Sequence, residues 1–242
     1  PRRPRPPTAA DVMADARRDV TRPKLLDLFC GAGGATRGYM DAGFDVWGVD
    51  INPQPNYCGD VFFEADALYF LEHFPLDTFD VIHASPPCQA YSVTSSLHDN
   101  DHPELVEPVR DALEVWGGPY VIENVVGAPL DPARTIQLCG SSFGLGVRRH
   151  RLFETNPPTI FQPQCNHGLQ PHPVDVTGTG GPTKQTRQGG GGTHRKPRDL
   201  AHAREVMGID WMTRRELSQA IPPAYTEWVG RRMLDHLEAA AA

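Results

Sequence analysis

A glycine-rich turn near the start of the chain places the strongest constraint on its fold. The apolar run at residues 24–29 predicts a strand, the turn at residues 30–35 follows directly, and a helical pattern then extends to about Gly43. Glycines let a backbone approach a ligand closely and leave the amides of a helix N-terminus free. The turn lacks the full dinucleotide fingerprint, and no Lys-Ser or Lys-Thr pair follows it as in a P-loop. This order predicts an α/β fold that begins with a nucleotide-type site.

Two acids follow the next two predicted strands. Asp50 ends the first of these strands, nineteen residues after Gly31, and an acid at that place accepts hydrogen bonds from ribose hydroxyls. An ordinary surface acid is the alternative, and the glycine-rich turn upstream favours the binding role. Asp66 follows the second strand. It can accept from the exocyclic amine of an adenine, cap the helix predicted from Ala67 onward, or do both.

Composition and charge limit the class of protein. With 242 residues, 24 prolines and 23 glycines, the chain suits one elaborated domain with extensive loops. The net charge of −7 excludes a uniformly basic protein, but residues 148–215 hold eleven Lys and Arg against five Asp and Glu. A polyanion could therefore contact that part of the surface. Five cysteines without framework spacing indicate a reducing compartment, and no apolar run has the length of a membrane span or a signal-peptide core.

A cysteine follows two prolines at the end of a predicted buried strand. The apolar run at residues 79–84 leads into Ser85-Pro86-Pro87-Cys88, and each proline fixes φ and removes a donor, which ends the strand. A thiol there projects at the carboxyl edge of the sheet, where open α/β sheets bind ligands. An inert structural cysteine is the alternative. The polar residues 92–102 predict a mobile loop that closes over a substrate.

Charged side chains recur at the ends of two later apolar runs. Glu123 and Asn124 interrupt the apolar run at residues 119–125, where burial without partners is costly. Arg149 and Arg151 alternate before Leu152, so both could point to one face of a strand. Two guanidiniums suit an anionic substrate and a network of carboxylates. A solvated strand end and surface arginines are the alternatives.

The segment at residues 155–199 has no regular pattern. Its Gly, Thr, Gln, Lys and Arg content suits contacts to phosphates and base edges, and a disordered linker is the alternative. Cys165, His167 and His172 lie close together in this segment. A zinc site needs a fourth ligand at suitable spacing and none is evident, so we predict no metal site. Two short helices are predicted at residues 200–207 and 213–220, and a final amphipathic helix is predicted from about Tyr225 to Leu237.

Taken together, these segments resemble the DNA (cytosine-5) methyltransferase family. Residues 27–34 resemble its opening S-adenosylmethionine motif, 86–89 its nucleophile motif, 123–125 its carboxylate motif, 149–151 the end of its Gln-x-Arg-x-Arg motif, and 217–223 its late cofactor-packing segment. The motifs fall in the family's order over residues 24–235. Four residues depart from the usual pattern: Ser85 replaces Gly, Tyr91 replaces Phe, Val147 replaces Gln and Gln219 replaces Asn.

The resemblance implies a Rossmann-like S-adenosylmethionine-dependent methyltransferase fold. Its sheet is mixed and mostly parallel, with helices on both faces and a small irregular target-recognition region. We expect a basic N-terminal arm at residues 1–22, a catalytic core at 23–154, a short target-recognition segment at 155–199, and C-terminal helices at 200–242 that complete the core. The short segment suits a short or loosely read site. We expect a monomer that acts on double-stranded DNA in the cytoplasm of a bacterial or phage-infected cell.

The resemblance also implies a role for each matching residue. Cys88 is the nucleophile toward C6 of a flipped-out cytosine, and Glu123 holds a proton or hydrogen bond at N3. Arg149 contacts O2 of the base or orients Glu123, and Arg151 supports this network. The expected cofactor residues are Phe29, Gly31, Ala32, Gly33, Gly34, Asp50, Ile51, Asp66, Ala67, Pro86, Gln219 and Ala220. The expected substrate residues are Ser85, Pro87, Gln89, Ser92, Asn124, Lys184 and Arg187.

Three other functions compete with DNA methylation. An RNA cytosine-5 methyltransferase of the same fold would share Cys88 and Glu123, so only a comparison of substrates separates the two. A non-catalytic module that binds DNA or the cofactor is the second, and intact Cys88, Glu123 and Arg149 argue against it. Transfer of a group larger than methyl is the third, and the departures at Val147 and Gln219 leave it open.

Overall fold

One seven-stranded sheet organises the part of the chain that the computed structural model describes, namely residues 22–88, 103–159, 161–177 and 194–242. Its strands are β1 Lys24–Leu28, β2 Asp45–Asp50, β3 Val61–Glu64, β4 Val81–Ala84, β5 Tyr120–Asn124, β6 Thr135–Leu138 and β7 Arg151–Asn156. The order across the sheet is β3-β2-β1-β4-β5-β7-β6. The first five strands are parallel, and β7 runs antiparallel to both β5 and β6. The predicted mixed, mostly parallel sheet is confirmed.

Helices cover both faces of this sheet. Within the described residues they are α1 Gly34–Ala42, α2 Ala67–His73, α3 Val106–Trp116, α4 Leu200–Met207, α5 Arg214–Gln219 and α6 Pro223–Ala241. Leu26 and Leu28 of β1 pack in a core cluster with α2 and α3, and Leu25 packs in a second cluster with α1 and α6. Side chains alternate along a strand, so a sheet buried on both faces needs apolar residues at both sets of positions. None of the helices in the described ranges is long and apolar enough to cross a membrane.

Local capping signals set several helix ends. Thr213 caps α5 in a capping box, because its side chain accepts from the Glu216 amide while Glu216 accepts from the backbone of Thr213. The final helix begins at Pro223, two residues before its predicted start, since proline is pre-organised for the first helical turn. It also continues past its predicted end at Leu237 to Ala241.

The described part of the 155–199 segment contacts the C-terminal helices. Val174 and Val176 are buried in a third core cluster with Val147 and with Val206 of α4. An isolated bridge pairs Val174 with Arg195. Strand β7 also extends to Asn156, so it crosses the boundary expected after residue 154. The division of the chain into these segments stays a prediction.

Candidate active site

A cleft of about 320 Å³ opens at the edge of the sheet where β1, β2, β4 and β5 end. Parallel strands present their carboxyl ends at one edge, and β7, which is antiparallel, contributes its first residue there. The predicted site residues that line the cleft are Phe29, Gly31, Ala32, Gly34, Asp50, Ile51, Ser85, Pro86, Pro87, Cys88, Glu123, Arg151, Gln219 and Ala220. Those that do not line it are Gly33, Asp66, Ala67, Asn124 and Arg149. Gln89, Ser92, Lys184 and Arg187 lie outside the described residues.

Asp50 joins two of the loops that border the cleft. One carboxylate oxygen accepts from the Gly31 amide at 3.0 Å, and the other accepts from the Asn52 amide at 2.9 Å. Gly31 has a φ of 51°, which suits glycine because it has no Cβ. Asp50 therefore holds the glycine-rich turn against the loop after β2. Its contact with a ribose stays a prediction.

Gly34 lets the start of α1 approach the segment after α5. A Cβ on Gly34 would lie 2.5 Å from the carbonyl oxygen of Ile221 and 3.3 Å from the Cβ of Ala220. Only a residue without a side chain fits between these backbones. The sequence indicated a ligand-binding role for this glycine, and the structure adds close packing against a segment that itself lines the cleft.

Asp66 caps a helix. Its side chain accepts from the Tyr69 amide at 2.9 Å at the N-terminus of α2. Asp66 is exposed and Ala67 is buried below it. One of the two roles weighed for Asp66 is thus observed, and the contact with an adenine amine stays a prediction.

Asp27 is a cleft residue that the sequence reasoning missed. It is fully buried on β1, and the hydroxyl of Thr36 donates to its Oδ2 at 2.6 Å. Its Oδ1 is buried without a hydrogen-bond partner among the described residues. Burial raises the pKa of Asp27 to about 7. The sequence could have indicated Asp27 as a site residue, because it is an acid within the apolar run Leu25–Leu28. A carboxylate is costly to bury in a strand that is covered on both faces.

Cys88 lies in the cleft with Glu123, on the turn that ends β4. The side-chain amide of Asn124 donates to the carbonyl of Pro86 at 3.0 Å, and its Oδ1 accepts from the Val125 amide. Asn124 is buried. It braces the proline turn that carries Cys88, and direct contact with a substrate stays a prediction.

Glu123 is buried beside two arginines. Arg151 Nε lies 3.0 Å from Glu123 Oε1, at ion-pair distance, although that oxygen has no aligned hydrogen bond from a described residue. Burial raises the pKa of Glu123, while the charges of Arg151 and Arg149 and a hydrogen bond from Ser85 oppose the rise. The neutral form of this carboxyl is therefore favoured more than it is in a surface glutamate.

Arg149 does not share a strand face with Arg151 as the alternation predicted. Strand β7 begins only at Arg151, and Arg149 has a φ of 40° in the turn before it. The Tyr225 hydroxyl hydrogen-bonds the carbonyls of Arg148 and Arg149, each at 3.0 Å, and holds this turn. The Arg149 guanidinium donates to the Ser218 carbonyl at 2.9 Å, and burial lowers its pKa. Arg149 thus joins the turn before β7 to α5.

A series of buried hydrogen bonds connects Glu123 to Tyr39 of α1 through Ser85 and His83. The Tyr39 hydroxyl lies 2.9 Å from His83 Nδ1, and His83 Nε2 lies 2.8 Å from the Ser85 hydroxyl, which bonds Glu123. Burial lowers the pKa of His83 to about 3, so the ring is neutral and carries one N–H. If Ser85 donates to the carboxyl, His83 donates from Nε2 and Tyr39 donates to Nδ1. Ser85, a departure from the family pattern, is the residue that makes this series continuous.

The segment around α5 supplies the remaining wall of the cleft. Met212, Glu216, Ser218 and Ile221 line it, although the sequence reasoning named none of them as site residues. The Asn56 side chain donates to the Glu216 carboxylate at 3.0 Å, which ties the loop after β2 to α5. These residues lie more than 175 positions from the glycine-rich turn. Ser218 and Ile221 belong to the 217–223 segment named from the sequence, whereas no local signal indicated Met212 and Glu216.

Known proteins match part of the chain. Residues 23–105 match the family model of C-5 cytosine-specific DNA methylases. M.XorII, a Type II methyltransferase of Xanthomonas oryzae pv. oryzae, is 32% identical over 124 residues, which are 45% of this chain and 29% of that protein. M.AquIA, a Type II methyltransferase of Picosynechococcus sp., is 29% identical over 125 residues, which are 43% of this chain and 49% of that protein. The chain thus spans less than half the length of these curated relatives.

Solved structures share the fold at low sequence identity. The S. pombe Dnmt2 methyltransferase superposes with a TM-score of 0.56 and 14% identity, over 89% of this chain and 99% of that one. The Entamoeba histolytica methyltransferase EhMeth superposes with a TM-score of 0.56 and 15% identity, over 90% of this chain and 99% of that one. Identities this low show the fold alone, which is the Rossmann-like fold of S-adenosylmethionine-dependent methyltransferases. Over residues 23–105 the chain is therefore similar to the C-5 cytosine-specific DNA methylases, and its fold agrees with that similarity.

Proposed function

We propose that this chain transfers a methyl group from S-adenosylmethionine to C5 of cytosine in double-stranded DNA, with Cys88 as the nucleophile. One observation carries the proposal: Cys88 and the buried carboxyl of Glu123 line the same cleft as the glycine-rich turn. The thiol, the acid and the nucleotide-type site thus face one space. The family match supports cytosine in DNA as the target.

The cleft suits a cationic nucleoside cofactor. Asp27, Asp50 and Glu216 line it, and Oδ1 of Asp27 is a buried acceptor without a described partner. S-adenosylmethionine carries positive charge on its sulfonium and amino groups, which such acceptors favour. The turn at Gly31 and the segment at Ala220 would hold it, and when bound it supplies an electrophilic methyl group.

Cys88 and Glu123 would make C5 of cytosine reactive. The thiolate of Cys88 adds to C6, the electron pair of the C5–C6 bond moves to C5, and N3 takes a proton from Glu123. The raised pKa of Glu123 favours a carboxyl that carries this proton. After C5 gains the methyl group, a base removes the C5 proton and the pair re-forms the double bond as Cys88 leaves.

The two arginines would stabilise this arrangement from the β7 edge. Arg151 lies at ion-pair distance from Glu123, and Arg149 is close enough to Cys88 and Glu123 for their charges to influence its pKa. Both guanidiniums therefore favour the carboxylate that Glu123 becomes once it has given its proton to N3.

The target atom is hidden within a DNA duplex, so the cytosine would flip into the cleft. Residues 148–215 carry the excess of Lys and Arg that a phosphate backbone requires. In this proposal the chain acts as a monomer, and residues 155–199 supply target recognition. Methylation of RNA cytosine by the same chemistry is the competing outcome.

The test supplies tritiated S-adenosylmethionine with either duplex DNA or tRNA. We expect label on cytosine of the DNA and none after Cys88→Ala. A 5-fluorocytosine duplex should form a covalent adduct, because fluorine at C5 cannot leave as a proton does. Peptide mapping should place the adduct at Cys88 and not at the other four cysteines. Label on tRNA alone would overturn the assignment to DNA, and label that persists in Cys88→Ala would overturn the nucleophile.

A further inference from the structure

We infer that Cys139, His150, Cys165 and His167 form a structural zinc site at the edge of the sheet. One ligand atom from each of these four side chains lies within 4.8 Å of all the others. The two cysteines are free thiols, with Cys139 buried and Cys165 exposed. The cluster does not include His172, the third residue that the sequence suggested as part of a metal-binding group.

The fold brings the four residues together from three places. Leu138 of β6 pairs with Arg151 of β7, so the residues next to them, Cys139 and His150, lie opposite each other in the same register. Cys165 and His167 come from the chain beyond β7, where His167 begins a short 3-10 helix. The Gln137 amide donates to the Gln162 side chain at 2.9 Å, which holds that chain against β6.

The distances fit tetrahedral coordination. Cys139 Sγ lies 3.4 Å from His167 Nε2, and Cys165 Sγ lies 3.5 Å from His150 Nε2. Zinc bonds of about 2.3 Å to sulfur and about 2.0 Å to nitrogen, at tetrahedral angles, separate a sulfur from a nitrogen by about 3.5 Å. The two imidazole planes are inclined by 63°, so the rings are not stacked on each other. Two thiolates and two imidazoles fill all four positions of zinc, which is the donor set of structural sites.

A neighbouring serine supports one of the proposed ligands. The Ser141 hydroxyl lies 3.1 Å from Cys139 Sγ and accepts from the Asn166 amide at 3.0 Å. Because its oxygen accepts from that amide, its own proton is free to point at the sulfur. A hydrogen bond to a coordinating thiolate orients the ligand and spreads its charge. The same serine thereby connects the β6 end of the site with the loop that carries Cys165 and His167.

The site would fix the geometry of Arg149 and of Arg151, the second of which lines the cleft. His150 lies between Arg149, which has a positive φ, and Arg151, which pairs with Glu123. Coordination through His150 holds the backbone at this point and ties it to the chain beyond β7. Zinc would thus link the start of the proposed target-recognition segment to the proposed catalytic cleft. The metal site itself follows from the four side chains and does not depend on the proposed function.

Metal content of the full chain, purified without a histidine tag, tests the inference. We expect about one zinc per chain, and we expect Cys165→Ser and His167→Ala to reduce it at least tenfold while His172→Ala retains it. Cobalt exchanged for zinc should give the visible absorption bands of a tetrahedral thiolate complex, which report the ligands without any activity assay. A chelator should lower the melting temperature of the unmodified chain and of His172→Ala, but not that of Cys165→Ser.

Two results would overturn the zinc site. One is a folded chain that binds neither zinc nor cobalt stoichiometrically when either metal is supplied. The other is a disulfide between Cys139 and Cys165 in protein kept under the reducing conditions of the assay, because that bond removes both thiolates. Circular dichroism of each variant separates loss of metal from loss of fold. Failure of methyl transfer with zinc still bound would contradict the proposed function and leave the metal site intact.

Discussion

Replacing Arg151 by glutamine would leave the carboxyl of Glu123 buried without its nearest cation. Glu123 is 5% exposed and Arg151 Nε lies 3.0 Å from it. Removing one partner of a buried ion pair costs about 3–5 kcal/mol, because the remaining charge is left in a poor solvent. We therefore expect Arg151→Gln to lower the free energy of unfolding by about that amount when Glu123 is ionised.

The cost should depend on pH in a definite direction. Burial already raises the folded-state pKa of Glu123 above its unfolded value, and loss of Arg151 raises it further. An acid of this kind contributes most stability below its unfolded pKa, and the contribution is lost as pH rises through the folded pKa. In Arg151→Gln the protonated carboxyl is tolerated at low pH, and the cost grows as pH rises above the ordinary pKa of a glutamate.

Urea unfolding between pH 5 and pH 8 measures this difference. The double variant Arg151→Gln, Glu123→Gln removes both charges, so it should recover most of the stability lost at pH 8. Arg110→Gln is a matched control, because Arg110 forms two hydrogen bonds of 2.9 and 2.8 Å to buried Glu154 away from the cleft. It should destabilise the chain while the folded protein still forms the fluorocytosine adduct. An equal cost of Arg151→Gln at pH 5 and pH 8 would refute the reasoning.

Three further variants test the walls of the cleft. Ser85→Ala removes the hydroxyl bonded to Glu123, and urea unfolding should show a loss of about 1.5–3 kcal/mol, the range for a hydrogen bond to a charged group. Gly34→Ala places a Cβ 2.5 Å from the Ile221 carbonyl. Overpacking of about 1–3 kcal/mol should weaken binding of S-adenosylmethionine about tenfold or more by calorimetry. Asp27→Asn removes a carboxyl whose pKa is raised from 3.8 to about 7. The wild-type chain should therefore lose up to about 4 kcal/mol between pH 4 and pH 7, and the variant should lack this loss in urea melts.

Each of these variants has a control of the same chemical type. Ser142→Ala removes a hydroxyl that donates to the Gln164 carbonyl, outside the cleft. Gly168→Ala places a Cβ no closer than 4.0 Å to another heavy atom, so it should not disturb the fold. Asp45→Asn changes an acid on the neighbouring strand. The reasoning fails if Ser85→Ala is as stable as the wild-type chain or if Gly34→Ala binds S-adenosylmethionine normally. It also fails if the stability of Asp27→Asn depends on pH as that of the wild-type chain does.

The edge of the sheet that carries the cleft could be predicted from local pattern. Cys88 follows an apolar run and two prolines, and Glu123 lies near the end of another apolar run. Both line the cleft, because parallel strands bring their carboxyl ends to the same edge. The sequence also shows that Ser85 replaces the glycine usual in the family, but it does not show that the Ser85 hydroxyl links Glu123 to His83. The hydrogen-bonded chain through His83 to Tyr39 requires two strands and a helix to be in place.

The side-chain directions of the residues at the start of β7 were harder to predict, because an alternating sequence pattern does not show where a strand begins. Arg149 and Arg151 have the spacing of a shared strand face, yet the strand begins only at Arg151. A tyrosine from α6, Tyr225, bonds the carbonyl of Arg149 and keeps it in the preceding turn. That contact joins residues far apart in the chain, so no local rule could have revealed it.

By itself, the sequence determined the elements of this protein and the edge of the sheet where its polar side chains collect. Apolar periodicity specifies strands and helices locally, and the glycine-rich turn and the proline turn mark where they end. Only the tertiary structure decided which side chains meet. Insertion of β7 antiparallel between β5 and β6 places Arg151 beside Glu123 and Cys139 opposite His150. The pairing register of distant strands is set by packing of the whole core, and it cannot be read from spacing along the chain.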